Sequence, residues 1–276
     1  MSCVMLLHIK ILSFLSIFFL FSCMKTRIDG VLIRDFDSKR EYFKEGRYHA
    51  YGRENRKKSI PAAKYYLKEA LKIDPADHVT VDLLGSLYRN SGKPDIEEKL
   101  YLHSLKKGPS NVRLRYSLGR FYLSQKKYKK ATNTFKKCIS QKNKTPFFPC
   151  YSMLATAYTR NNQIDRALKT YKAQIKYYKT DTKILPGKRL STNPGLGTIH
   201  VKMAELYLSK MDFDSALKNS SKAQALIPRN WPAYKEASKI ISKIEHEINK
   251  KEKQTVKSSR YSRKRKTIIR RRKNRR

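Results

Sequence analysis

Gly85 and Gly119 lie 34 residues apart, as do Tyr88 and Tyr122, and Pro75 and Pro109. This period constrains the chain more than any other feature, because residues recurring at such an interval mark copies of one supersecondary unit. Within a copy, Leu84, Leu87 and Tyr88 stand three and four positions apart, on one face of a helix. Gly85 beside them lets a second helix approach closely. One such unit cannot bury its apolar face alone, so the copies must stack. The tyrosine then fills the space between helices of the same and adjacent copies.

The pattern runs further. LLGSLYRNSGK (83–93) and SLGRFYLSQKK (117–127) are answered by MLATAYTRNNQIDRALKTY (153–171) and KMAELYLSKMDFDSALKNS (202–220). Ala155 and Ala204 take the glycine column, and Tyr158 and Tyr207 the tyrosine column. The step from Gly119 to Ala155 is 36 and the step to Ala204 is 49, so one junction gains two residues and the next about fifteen. A second helix in each copy carries Ala63, Ala131, Ala167 and Ala216 in one column, with Glu97 as the exception. Its next column holds Leu67, Tyr101, Phe135 and Tyr171, from which Ser220 departs.

Period and columns together resemble the tetratricopeptide repeat, a helix–turn–helix unit. The resemblance implies an all-α solenoid of about five units, at about 44–77, 78–111, 112–147, 148–196 (with an inserted loop) and 197–230. The first helix of the first unit falls near Glu41 to Arg53, with Gly46 or Tyr51 at the close-contact site. A capping helix is expected over 231–249, its apolar face drawn by Trp231, Tyr234, Ala237, Ile241, Ile244 and Ile248. Residues 23–37 read as a tether and 250–276 as a disordered polybasic tail, since repelling charges with few apolar residues cannot build a core.

The N-terminus addresses the compartment. His8 and Lys10 precede an apolar stretch, Ile11 to Ser22, the length of a secretory core at about 7–15 residues rather than the roughly 20 of a spanning helix. It stops at Leu20-Phe21-Ser22-Cys23, which resembles the lipobox of bacterial lipoproteins. That resemblance implies a signal peptide over 1–22 and lipidation of Cys23, preferred over an ordinary cleaved signal or an uncleaved anchor. The expected location is the cell envelope, membrane-anchored and facing the periplasm or cell surface. Cys138 and Cys150 are then the remaining thiols, read as two small core residues in preference to a disulfide.

Enzyme signatures are missing. The six histidines stand in unrelated contexts, Gly195-Leu196-Gly197 lacks the rest of a dinucleotide fingerprint, and no serine sits in a G-x-S-x-G elbow. No catalytic residue, cofactor or metal is expected. In the resembling family the working surface is the groove lined by first helices, which binds peptides or partner helices. The residues assigned to it are Arg89, Asn90, Arg113, Tyr116, Arg120, Thr156, Arg160 and Glu205. An arginine there grips carboxylates bidentately, and Tyr116 adds rigid contact area.

Charge raises a second reading. The chain has 63 Lys+Arg against 22 Asp+Glu, a formal +41. Lys250 to Arg276 holds 15 basic residues and one acidic, so +14 sits there and +27 elsewhere. Arg263, Lys264, Arg265, Lys266, Arg270, Arg271 and Arg272 are the expected polyanion contacts. A basic nucleic-acid or polyanion binder is the alternative to a scaffold. Tyr261 is the single aromatic in the tail, which gives base stacking little support. An exported chain meets anionic lipid or a cell-wall polymer rather than nucleic acid. The preferred expectation is a lipid-anchored scaffold that assists assembly of an envelope complex. Relatives with this layout assist pilus secretins, outer-membrane insertion or peptidoglycan enzymes.

Overall fold

The computed structural model describes residues 27–52, 58–140, 147–181 and 193–273, with the backbone alone at 179–181, 251, 252 and 255–273. The signal segment, Cys23 and most of the inserted loop lie outside the described residues. Eleven helices and one small hairpin are described, in two compact bodies that meet in sequence at Lys126/Lys127.

The first body begins with β1 (Arg27–Ile28) and β2 (Val31–Leu32), antiparallel, Arg27 opposite Leu32. Asp29 (φ 53°) and Gly30 (φ 73°) make the turn, both left-handed as a two-residue hairpin loop requires. Five helices follow: α1 (Lys39–Tyr51), α2 (Ile60–Ile73), α3 (His78–Asn90), α4 (Pro94–Lys107) and α5 (Val112–Ser124). Side-chain caps open four of them. Ser38 and Ser59 accept from the backbone N–H of Glu41 and Ala62, and Asp77 and Asn111 from those of Thr80 and Leu114. Asp77 and Asn111 are 34 apart, so the cap is itself periodic. Gly46 is the close-contact residue of α1: a Cβ there would stand 2.7 Å from Leu67 Cγ.

Residues 27–37 are not a free tether. Arg34 N–H donates to the Tyr66 hydroxyl at 3.0 Å, and the Phe36 ring meets Tyr42 edge-on at 5.4 Å. Ile33 and Phe36 cover Tyr42, Tyr66 and Ala70, which α1 and α2 would otherwise expose at the start of the stack.

The second body contains α6 (Tyr128–Ile139), α7 (Phe148–Arg160), α8 (Ile164–Asp181), α9 (Pro194–Ser209), α10 (Phe213–Leu226) and α11 (Pro232–Lys273). Val201, Ala204, Ala216 and Ala223 pack with Ala237, Ile240 and Ile244 of α11. Two expectations for the cap change here. Ile240 rather than Ile241 is buried, and Trp231 and Ile248 stay exposed, so the apolar face is narrower and one turn shorter than the sequence suggests. The helix also runs on to Lys273, through the segment read as a disordered tail from residue 250. Residues 233–276 contain neither glycine nor proline, and Lys and Arg are good helix formers. In α6 and α7, Cys138 and Cys150 are joined as a disulfide across 12 positions. The structure selects the bond over the expected pair of small core residues.

Within a unit the turn between helices is left-handed at Gly92, Lys126, Asn162 and Met211. These are separated by 34, 36 and 49 residues, the same steps as the tyrosine column. The position takes positive φ in these four copies, only one of which supplies glycine there. Met211 is 56% exposed and packs little. Met211→Gly is therefore expected to stabilise the second body by about 0.5–1 kcal/mol, the left-handed cost less the entropy of glycine. Urea unfolding of the two proteins measures it, and an unchanged midpoint would count against strain at this turn.

Candidate partner-binding surface

The residues assigned to a partner groove lie on the first helices of the two bodies. In the first body α3 supplies Asp82, Arg89 and Asn90, and α5 supplies Arg113, Tyr116 and Arg120. Asp82 is half-buried and accepts from the Tyr101 hydroxyl at 3.0 Å and the Ser117 hydroxyl at 2.9 Å. Burial raises its pKa, against the pull of those two donors. Ser117 is four residues from Arg113 and three from Arg120, so both arginines lie along the helix face that meets Asp82. Both are exposed, and the Arg120 guanidinium stands 5.6 Å from the centroid of the Tyr116 ring. The structure thus brings Arg113, Tyr116 and Arg120 onto one helix beside Asp82. Arg89 lies on α3, held elsewhere.

What holds Arg89 is a residue the site assignment missed. Its Nη1 lies 3.0 Å from Glu97 Oε1, and Glu97 is 1% exposed. Glu97 occupies the alanine column of the repeat and fills the space that Gly85 leaves. A Cβ on Gly85 would stand 3.1 Å from Glu97 Cγ. Burial raises the Glu97 pKa to about 7, Arg89 pulling it down and Asp82 pushing it up. Glu97 Oε2 is buried without a hydrogen-bond partner. The signal was present in the sequence: one departure from an otherwise small column, with glycine opposite.

In the second body the first-helix positions are quieter. Thr156 donates to the Ser152 carbonyl at 2.9 Å, and Arg160 is exposed at the end of α7. Below them Gln174 is buried and exchanges hydrogen bonds with the Ser152 hydroxyl at 3.0–3.2 Å. Glu205 of α9 receives Lys202 Nζ at 3.0 Å, and Lys202 also reaches Glu236 of α11 at 3.3 Å. Burial and the adjoining Glu236 carboxyl push Glu205 up. Glu205 is therefore engaged within an ion cluster that joins the last unit to its cap. Among the described residues no group of His, Cys, Asp and Glu could hold a metal ion. The backbone of Arg263 to Arg272 lies in α11, and their side chains are outside the description.

Residues 112–145 match the tetratricopeptide repeat family model, and the columns of that unit recur in the other helix pairs. The chain carries a tetratricopeptide repeat and has the tetratricopeptide fold. Its tetratricopeptide fold is shared with the solved structure of Pseudomonas aeruginosa pilF, 15% identical over 77% of this chain and 90% of that one, at a TM-score of 0.50. TTC0263 of Thermus thermophilus, a thermophilic tetratricopeptide repeat protein, is 17% identical over 74% of this chain and 99% of that one, at 0.48. MamA from Desulfovibrio magneticus RS-1 is 18% identical over 69% and 96%, at 0.49. No curated protein matches the sequence. Helix pairs of this kind support a protein–protein interaction scaffold, the coarse function of the tetratricopeptide repeat.

Proposed function

We propose that this tetratricopeptide repeat protein is an exported, lipid-anchored scaffold that binds a protein or peptide partner on its first-helix faces and assists assembly of an envelope complex. The observation that carries the partner site is the α5 face, where Arg113 and Arg120 stand exposed and Tyr116 half-buried beside Asp82. Two guanidinium groups and an aromatic ring on one rigid helix suit a carboxylate-bearing segment. Export is supported by the apolar stretch before Cys23 and by the Cys138–Cys150 disulfide, since such bonds persist in oxidising compartments. The scaffold does no chemistry of its own in this reading.

Lipid on Cys23 anchors because each buried methylene contributes about 0.8 kcal/mol and several chains hold where one does not. Arg263, Lys264, Arg265, Lys266, Arg270, Arg271 and Arg272 add a second attachment, to anionic lipid or a cell-wall polymer. Each basic residue near an anionic leaflet contributes up to about 1 kcal/mol. Cys23→Ala is expected to move the protein from the membrane to the soluble fraction and abolish acyl labelling. Deletion of residues 250–276 should leave acylation intact and change only salt-sensitive attachment. Membrane association without acyl label in the unaltered protein would remove the lipoprotein reading.

A further inference from the structure

Away from the first-helix faces, the first body has an apolar cleft of about 490 Å³ between α2, α3 and α4. Leu71, Leu84 and Tyr88 form its walls, and Ile96 stands exposed at its edge. Lys68 lines it from α2 and Lys99 from α4. The second body has a cleft of about 430 Å³ between α6, α7 and α8. Ile139, Leu154 and Tyr158 line it, with Lys136 and Lys169 at the rim.

The two clefts are one feature occurring twice. Lys68 to Lys136 and Leu71 to Ile139 are 68 residues, two periods of 34. Leu84 to Leu154, Tyr88 to Tyr158 and Lys99 to Lys169 are 70, the same two periods plus the two residues gained at the intervening junction. Two walls, one tyrosine and two lysines therefore hold equivalent repeat positions in two separate bodies. Packing accounts for the apolar walls but not for a lysine on each side. Among the described residues none of the four lysines makes an ion pair, and all four are exposed.

We propose that each cleft docks an acidic peptide segment that inserts an apolar anchor side chain between the two lysines. The volumes are in the range of ligand sites, about 300–1,000 Å³. The cations of each cleft come from two different helices, which matches carboxylates flanking an anchor on both sides. A single-headed amphiphile would use one wall and leave its chain in an open cleft. Anchor burial supplies affinity, and the rim lysines supply orientation and rate. These second-helix clefts are independent of the α5 face, so either site can fail without the other.

The test uses the full chain and fluorescein-labelled 12-residue peptides. One set carries a Leu, Phe or Trp anchor between Asp/Glu pairs, a second has Ser for the anchor, and a third has Lys flanks. The expected result is at least tenfold tighter binding of the acidic anchored set than of either other set. Lys68→Glu/Lys99→Glu and Lys136→Glu/Lys169→Glu should each remove one of two binding events. Lys218→Glu/Lys222→Glu, an equal charge change on exposed positions of α10, should leave both. Equal binding of the Ser-anchored set, or equal loss in the α10 control, would show attraction to net charge alone and overturn the proposal. Displacement of the peptides by dodecyl phosphate below its micellar concentration, at higher affinity than theirs, would assign the clefts to an amphiphile and overturn it equally.

Discussion

Raising the pH from 5 to 8 is expected to destabilise the first body by about 2.5 kcal/mol, and Glu97→Gln to abolish that dependence. The Glu97 carboxyl is lifted from its ordinary 4.5 to about 7 by burial, which Arg89 offsets only in part. Below pH 4.5 the group is protonated in both folded and unfolded chains and contributes nothing. Between 4.5 and 7 the unfolded chain releases its proton while the folded chain retains it, so stability falls as pH rises. Above 7 the full penalty of a buried carboxylate is in place. Gln keeps the volume and removes the charge, so the gap between wild type and Glu97→Gln should be about 1 kcal/mol at pH 5 and widen to about 3 kcal/mol at pH 8. Urea unfolding at both pH values decides it, and a constant difference between the two proteins would refute the assignment.

Gly85 provides a second check on the same pair. In the wild type a Cβ at position 85 meets Glu97 Cγ at 3.1 Å. With alanine at 97 that obstacle is gone, and Gly85→Ala then gains about 1 kcal/mol of helix propensity. The double variant Gly85→Ala/Glu97→Ala should exceed the sum of the single ones, because it restores the small–small contact the other units use. Glu97 also links stability to the proposed binding surface. It holds the Arg89 guanidinium at 3.0 Å, and its protonation weakens that hold on a residue of the α3 face.

How much of this was legible in the sequence depends on what each residue was asked to reveal. Ala63, Ala131, Ala167 and Ala216 are all fully buried, as their shared column requires. A column is a statement about volume, and volume is written in residue type. Ile240 and Ile241 were harder, because a helix face tolerates both i+3 and i+4 and only the partner surface selects between them. Lys126 and Met211 give no sign of their left-handed backbone, since nothing in their chemistry prefers it. The hairpin at Arg27–Leu32 was hidden differently. Its turn, Asp29-Gly30, is a strong local signal, but its docking on Tyr66 is a long-range consequence of an uncovered stack end. At the candidate site, Arg113, Tyr116 and Arg120 could be placed by spacing alone. The hold on Arg89 was signalled only indirectly, by one large acidic residue in a small column with glycine opposite.

The second large effect is expected from the Cys138–Cys150 bond. It closes a loop across 12 positions between α6 and α7. A cross-link over a loop of this size removes about 3 kcal/mol of unfolded-state entropy. The junction it spans is the one where the period lengthens to 36 residues and where asparagine replaces the proline that ends other units. A covalent tie therefore stands where the regular junction signals are absent. Cys138→Ser/Cys150→Ser, or reduction, should cost the second body about 3 kcal/mol and leave the first unchanged, because stability in stacked repeats is set by neighbours. Both sulfurs are buried, so alkylation without denaturant should label neither. Denaturant alone should still label neither in protein taken from its native compartment, and denaturant with reductant should label both. Labelling of both by denaturant without reductant would mean free thiols in that compartment, and would remove the bond and the support it lends to export together.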